Sequence, residues 1–343
     1  MMNQKKTTRI VILIISGVLV LLAVIALVFT GVIIPRQKYE KALALLDNGE
    51  YDAAYLILEE LGRRDVVAAD LNKRADDLLE EGESNAAYAL LSGVEDETCR
   101  KKRMVIKQQQ ITETPVGKYF TLGSYEQDNK TANGPEPIEW VILDREEDRI
   151  LVISRYVLDC LHYDEEYKPV TWETCTLRAW LNGEFLNTAF DLDEMSLIQI
   201  THVAADPNPE FSVDPGNDTE DRIFLLSIPE AERYFHPVSI PAPHGSSVQE
   251  AERYFHTYST LWCKPTAFAA PKSNVDFDFS QNEAVGWWFR TPGLSSASAA
   301  MADRLGMIDT WGKLVNCEGG IRTPGVRPAM WIDLGSSCEE VIP

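Results

Sequence analysis

Ile10–Ile34 contains no charged residue, and only Ser16, Gly17, Thr30 and Gly31 interrupt its apolar side chains. A helix needs about 20 such residues to cross the hydrocarbon core of a bilayer, so this run is long enough to span. A cleaved signal peptide would carry a shorter apolar region followed by a small-residue site. Phe29-Thr30-Gly31-Val32 offers no such site. The expectation is one retained anchor over residues 10–34, a cytoplasmic tail over 1–9, and a large soluble part. Lys5, Lys6 and Arg9 precede the run, while Arg36, Lys38 and Lys41 follow it. The positive-inside count is therefore nearly tied. The free amino terminus adds one charge to the short side, which places the tail inside and the later domains outside, at the cell membrane.

The formal net charge is −21. Residues 1–34 hold three cations and no acid, so the rest of the chain is strongly acidic. Phosphate backbones need a basic surface, so nucleic acid is excluded as a partner. The expected partners are the membrane, through Ile10–Ile34, and an extracytoplasmic protein or glycan. None of the six cysteines forms a C-x-x-C pair, which removes zinc ribbons and thioredoxin-like motifs. Outside the membrane an even count permits disulfides, and Cys160 with Cys175, flanking one loop, is the expected pair.

Lys38–Leu58 and Leu71–Leu91 repeat one pattern. Ala42, Leu45, Leu46, Gly49, Glu50, Ala53, Ala54, Tyr55 and Leu58 recur 33 positions later. Such a period with small residues at fixed places marks stacked helical hairpins. It resembles tetratricopeptide repeats over 38–94, without the tryptophan and proline of the full motif, and residues 35–111 are read as a helical stalk. Thr98–Gln110 extends it with the basic run Arg100-Lys101-Lys102-Arg103. That run is read as a solvated face balancing nearby acids, or as a contact for anionic lipid or wall polymer.

After Pro115 and Gly117 the pattern changes to short strands and turns. Ile138–Leu143, Arg149–Ser154 and Ile223–Ser227 are apolar runs of strand length, the first two joined by Glu146-Glu147-Asp148. Thr176–Phe185 puts Leu177, Trp180, Leu181 and Phe185 on one helical face. Asp191 with Glu194 reads as a capping box opening a helix through Ile200. The heptad EAERYFH stands at Glu230–His236 and again at Glu250–His256, each copy after a helix-start serine, Ser227 and Ser247. The fold class is α+β, strand-rich, without alternating βαβ units. Residues 112–335 are expected as one C-terminal domain and 336–343 as a tail.

The most specific text is Gly286-Trp-Trp-Phe-Arg-Thr-Pro-Gly293, followed by Gly325-Val-Arg-Pro-Ala-Met-Trp-Ile332. Upstream stand Phe120–Tyr125, Ile138-Glu139-Trp140 and Trp172–Asn182. Together they resemble an uncharacterised bacterial family, the domain of unknown function 6273, over roughly residues 115–334. More distantly the ending is similar to C-type-lectin-like folds of the formylglycine-generating-enzyme type. That likeness implies a ligand surface between the two motifs, where Leu294–Arg322 alternates apolar and polar residues and places glycines at turns. Arg304, Asp309, Trp311 and Lys313 are its candidate ligand-binding residues. The tryptophans Trp140, Trp180, Trp287, Trp288 and Trp331 are read as core. Arg290 and Arg327 are read as forks onto buried carbonyls or carboxylates.

No hydrolase, zincin, Walker or dinucleotide-binding string occurs. His236, His244 and His256 with Cys263 do not make a convincing metal site, because two of the histidines belong to the duplicated heptad. Asp214, Asn217, Asp218 and Asp221 cluster oxygen ligands in one turn, for which calcium is the fitting cation. The alternative is a capped acidic turn leading into the next strand. The family to which the ending is similar uses a closely spaced cysteine pair near its end. Cys317 and Cys338 do not match that spacing, so its oxidase activity is not carried over. The expected function is a non-catalytic binding module on a helical stalk, the alternative being an enzyme related to formylglycine-generating oxidases or another cell-envelope enzyme.

Overall fold

The computed structural model describes residues 33–92, 96–235, 260–273, 284–316 and 323–335. The anchor run lies outside them except for its last two residues, as do the second heptad copy, His236, His244, Cys317 and Cys338. Among the described residues no helix is long and apolar enough to cross a membrane. The chain divides between Gln109 and Gln110 into two compact units.

The first unit is helical: α1 (Ile34–Asp47), α2 (Tyr51–Glu60), α3 (Arg64–Glu80), α4 (Ser84–Ser92) and α5 (Glu97–Glu113), the last running on into the second unit. The 33-residue offset reappears in the packing. Ala42 and Ala75, Ala54 and Ala87, and Leu58 and Leu91 are all fully buried in one core. Both turns close alike. After α1, Glu50 N donates to Leu45 O, and after α3, Glu83 N donates to Leu78 O. Gly49 and Gly82 take the left-handed φ values of 77° and 80° that these turns require. The basic run on α5 is engaged within the unit. Lys101 pairs with Glu97 at 2.7 Å and Lys102 with Asp76 at 2.6 Å.

The second unit is strand-rich. β1 (Tyr119–Tyr125), β2 (Glu136–Arg145) and β3 (Arg149–Ser154) form an antiparallel meander. Beyond them lie β4 (Asp159–Cys160), the short antiparallel pair β5 (Thr201–Val203) and β6 (Thr219–Asp221), and β7 (Trp287–Pro292). The chain closes with β8 (Ser298–Ala302), β9 (Ile308–Leu314), β10 (Gly325–Val326) and β11 (Ala329–Asp333). One sheet has the order β1-β2-β3-β11, and a second has the order β4-β10-β7-β8-β9. The last two strands therefore belong to different sheets, and Arg327-Pro328 makes the crossing. Ser154 N donates to Pro328 O at 2.9 Å and Arg327 Nε donates to Ser154 O at 2.9 Å, tying the crossing to β3.

Short helices complete the unit: α6 (Thr176–Trp180), α7 (Leu186–Ala189), α8 (Leu192–Leu197) and α9 (Ile228–Tyr234), with a π-turn over Leu181–Phe185 joining α6 to α7. Both expected capping boxes form, Asp191 with Glu194 and Ser227 with Glu230. α8 ends at Leu197, short of Ile200. Ile223–Ser227 is not a strand. It is a fully buried extended segment whose backbone pairs at single points, Phe224 with Ala329 and Arg290 N with Leu226 O.

Trp140, Trp287 and Trp288 are completely buried, as expected. Trp180 and Trp331 are only half-buried. The Arg149 guanidinium lies 4.3 Å from the Trp331 ring centre. Arg290 is the buried fork the sequence implied. It donates to Ala204 O, Leu225 O, Asp206 and both oxygens of Glu230. Arg327 forks less completely. It lies 5.1 Å from Trp287 and 5.2 Å from Phe235, and its Nη1 has no hydrogen-bond partner among the described residues. Burial pulls its pKa below the usual arginine range.

Candidate ligand cleft

The β8–β9 hairpin is built by side chains that accept from the backbone. Asp303 Oδ1 accepts from Leu305 N at 2.8 Å and Met307 N at 2.9 Å, and Gly306 closes the turn at φ 79°. Burial raises the Asp303 pKa. Arg304 is thereby held at the exposed tip. Along β9, Asp309 Oδ1 accepts from Trp311 N and Gly312 N, both at 3.1 Å. Met301 pairs with Asp309 and Ala299 with Lys313, so three residues of β9 face Ala300 alone. Gly312 sits in this bulge rather than at a turn. Its φ is 67°, and a Cβ there would lie 1.9 Å from the Ala299 carbonyl oxygen.

A cleft of about 210 Å³ opens against this hairpin. Val285, Met301, Leu305 and Pro324 give it apolar walls, and Asp303, Arg304, Asp309 and Lys313 give it charge of both signs. The structure thus brings together three of the four residues singled out between the motifs. Trp311 is set apart. It is 61% exposed and meets Phe211 edge-on at 5.7 Å, because the bulge turns it away from Asp309 and Lys313. Such a cleft suits a small ligand, or the end of a larger one, with an apolar body and polar ends.

The acidic turn does not gather its four residues around one point. Asp214 accepts from Gly216 N, Asn217 donates to Glu173, and Asp218 accepts from Ala205 N. Asp221 is buried, where it takes Arg178 Nε at 2.7 Å, Trp172 Nε1 at 2.9 Å and Thr219 Oγ1 at 2.7 Å. Its charge is used inside the core, apart from the other three oxygen ligands named for this turn. A carboxylate group that sequence reading missed is Glu126, Asp128 and Glu136, whose oxygens lie within 4.8 Å of one another. It also accepts from backbone groups, including Gln127 N onto Glu136 at 2.7 Å. No short spacing pattern announces it, because Glu136 joins the other two only when β1 and β2 pair.

The expected Cys160–Cys175 bridge is not formed. Both are free buried thiols, as are Cys99 and Cys263. Cys160 belongs to β4, whereas Cys175 caps α6 and accepts from Arg178 N at 3.3 Å. Burial pushes the Cys175 thiol up to about 12 and raises Cys160 and Cys263 as well. These thiols stay protonated at neutral pH, which makes them packing groups rather than nucleophiles.

The second unit is therefore an α+β domain of two main sheets carrying a polar-rimmed cleft. The profile of the family described as domain of unknown function 6273 matches residues 147–334, more than half of the chain, and the protein belongs to that family. No curated protein and no solved structure matches it.

Proposed function

We propose that this chain is a membrane-anchored, extracytoplasmic binding protein. In this reading Ile10–Ile34 is the anchor, the helical unit is a tetratricopeptide-like stalk, and the second unit is a C-type-lectin-like domain that captures a protein or glycan without chemistry. The observation that carries the reading is the convergence of Arg304, Asp309 and Lys313 on one cleft with apolar walls.

The full chain in detergent is applied to an array of bacterial envelope glycans and peptides, with and without calcium. Saturable capture is expected, weakened by about tenfold or more in Lys313→Ala and Asp309→Asn, with melting nearly unchanged as at other surface positions. Trp311→Ala should bind almost as the parent does. Capture indifferent to both cleft substitutions, or no capture at all, would remove the cleft as the binding site.

A further inference from the structure

A second cleft, distinct from the β8–β9 cleft, has about 300 Å³ of space and different chemistry. Its walls are four aromatic rings brought from three parts of the chain: Tyr125 at the end of β1, Trp180 and Phe185 around the π-turn, and Phe268. The rings touch mostly edge to face. Tyr125 lies 5.3 Å from Phe185, 5.8 Å from Phe268 and 6.5 Å from Trp180. Trp180, Tyr125 and Phe268 are each left partly exposed. An aromatic cluster serving only as core would be covered.

Two carboxylates stand at this cleft, Glu126 and Glu184. Glu126 accepts from Lys130 N at 2.9 Å. Glu184 is exposed and has no hydrogen bond or ion pair among the described residues. Asp128 and Glu136 add negative charge beside Glu126. Lys130 pairs with Asp128 at 3.4 Å, and Lys272, beside Phe268, is already neutralised, with its ammonium 2.8 and 2.9 Å from the two oxygens of Asp159. That ammonium also lies 3.7 Å from the centre of the Phe268 ring, so one wall of the cleft already holds a cation against its face. Tyr125 donates its hydroxyl to Asp159 at 2.8 Å and is thereby fixed in orientation.

We infer that this cleft binds an organic cation, an alkylated ammonium head seated against Tyr125, Trp180 and Phe268 with Glu184 and Glu126 as its counter-charges. Ring faces attract a desolvated cation through their quadrupole, and quaternary ammonium groups are the ligands that aromatic cages select. A sugar would also stack on such rings and donate its hydroxyls to the carboxylates, but only a cation gains, in addition, the charge attraction of the unpaired Glu184. The site is independent of the β8–β9 cleft, so either can fail alone.

The test uses the full chain in detergent, with choline as probe and the uncharged isostere 3,3-dimethylbutan-1-ol as its control, read by tryptophan fluorescence and calorimetry. Choline should bind saturably, and the isostere about tenfold more weakly or worse. Glu184→Gln, an exposed substitution that leaves the fold alone, should weaken choline several-fold, and Trp180→Leu should abolish it. Lys313→Ala should leave choline binding as it is. Equal binding of choline and the isostere, an unchanged affinity in Glu184→Gln, or no saturable choline binding would each overturn the assignment.

Discussion

Replacing Arg290 by methionine should destabilise the C-terminal unit by roughly 3–5 kcal/mol, the cost typical of removing one partner of a buried ion pair. The Arg290 side chain is 3% exposed, and its donors end on Ala204 O, Leu225 O, Asp206 and Glu230. Methionine fills much of the space but leaves two carboxylates and two carbonyls without those donors. The loss should be read as a fall in the midpoint of a denaturant or thermal melt of the purified chain. Adding Glu230→Gln to Arg290→Met should then cost little more, since it removes one stranded charge. Glutamine at that position keeps the capping box with Ser227. Additive losses from the two single changes would mean that they do not interact. Lysine at position 290 should rescue poorly, because an ammonium does not reproduce the planar fork.

Trp287→Ala should cost a comparable amount, about 3–5 kcal/mol, as large-to-small changes of aromatic core residues do. Trp287 is completely buried, and its indole N–H donates to Leu261 O at 3.0 Å. Phe289 packs on it at 4.9 Å and the Arg327 guanidinium lies 5.1 Å from its ring. Its removal therefore opens a void and uncovers a buried cation at the point where the chain passes from one sheet to the other. Near-ultraviolet circular dichroism should lose intensity together with the melting midpoint. A midpoint within a degree of the parent's would place Trp287 outside the core.

What the sequence conveyed was local chemistry. The β2–β3 hairpin was legible because Glu146-Glu147-Asp148 separates two apolar runs, and both capping boxes were legible because two residues three positions apart decide each. Ile223–Ser227 has the composition of a strand, yet its partners are scattered. Phe224 exchanges two bonds with Ala329 on one strand, while Leu226 O takes its bond from Arg290 N on another, so no ladder forms. Cys160 and Cys175 flank one loop in sequence, but each is committed to its own element. Of the four residues named between the motifs from the lectin-like resemblance, Arg304, Asp309 and Lys313 line one cleft. Trp311 does not line it, because three residues opposite one at Gly312 break the period of two. The aromatic cleft was not legible at all. Tyr125, Trp180 and Phe268 lie far apart in the chain, and each alone reads as a core residue.

If Ile10–Ile34 is the anchor proposed above, with the short tail inside, the C-terminal unit stands outside the cell. Lys130 lies in the β1–β2 loop with its side chain 75% exposed, and the four described cysteines are buried. Lys130→Cys, expressed in intact cells and treated with a membrane-impermeant maleimide, should be labelled from outside, well above the parent chain. Labelling seen only after the cells are lysed would put the unit in the cytoplasm and contradict an extracytoplasmic binding protein.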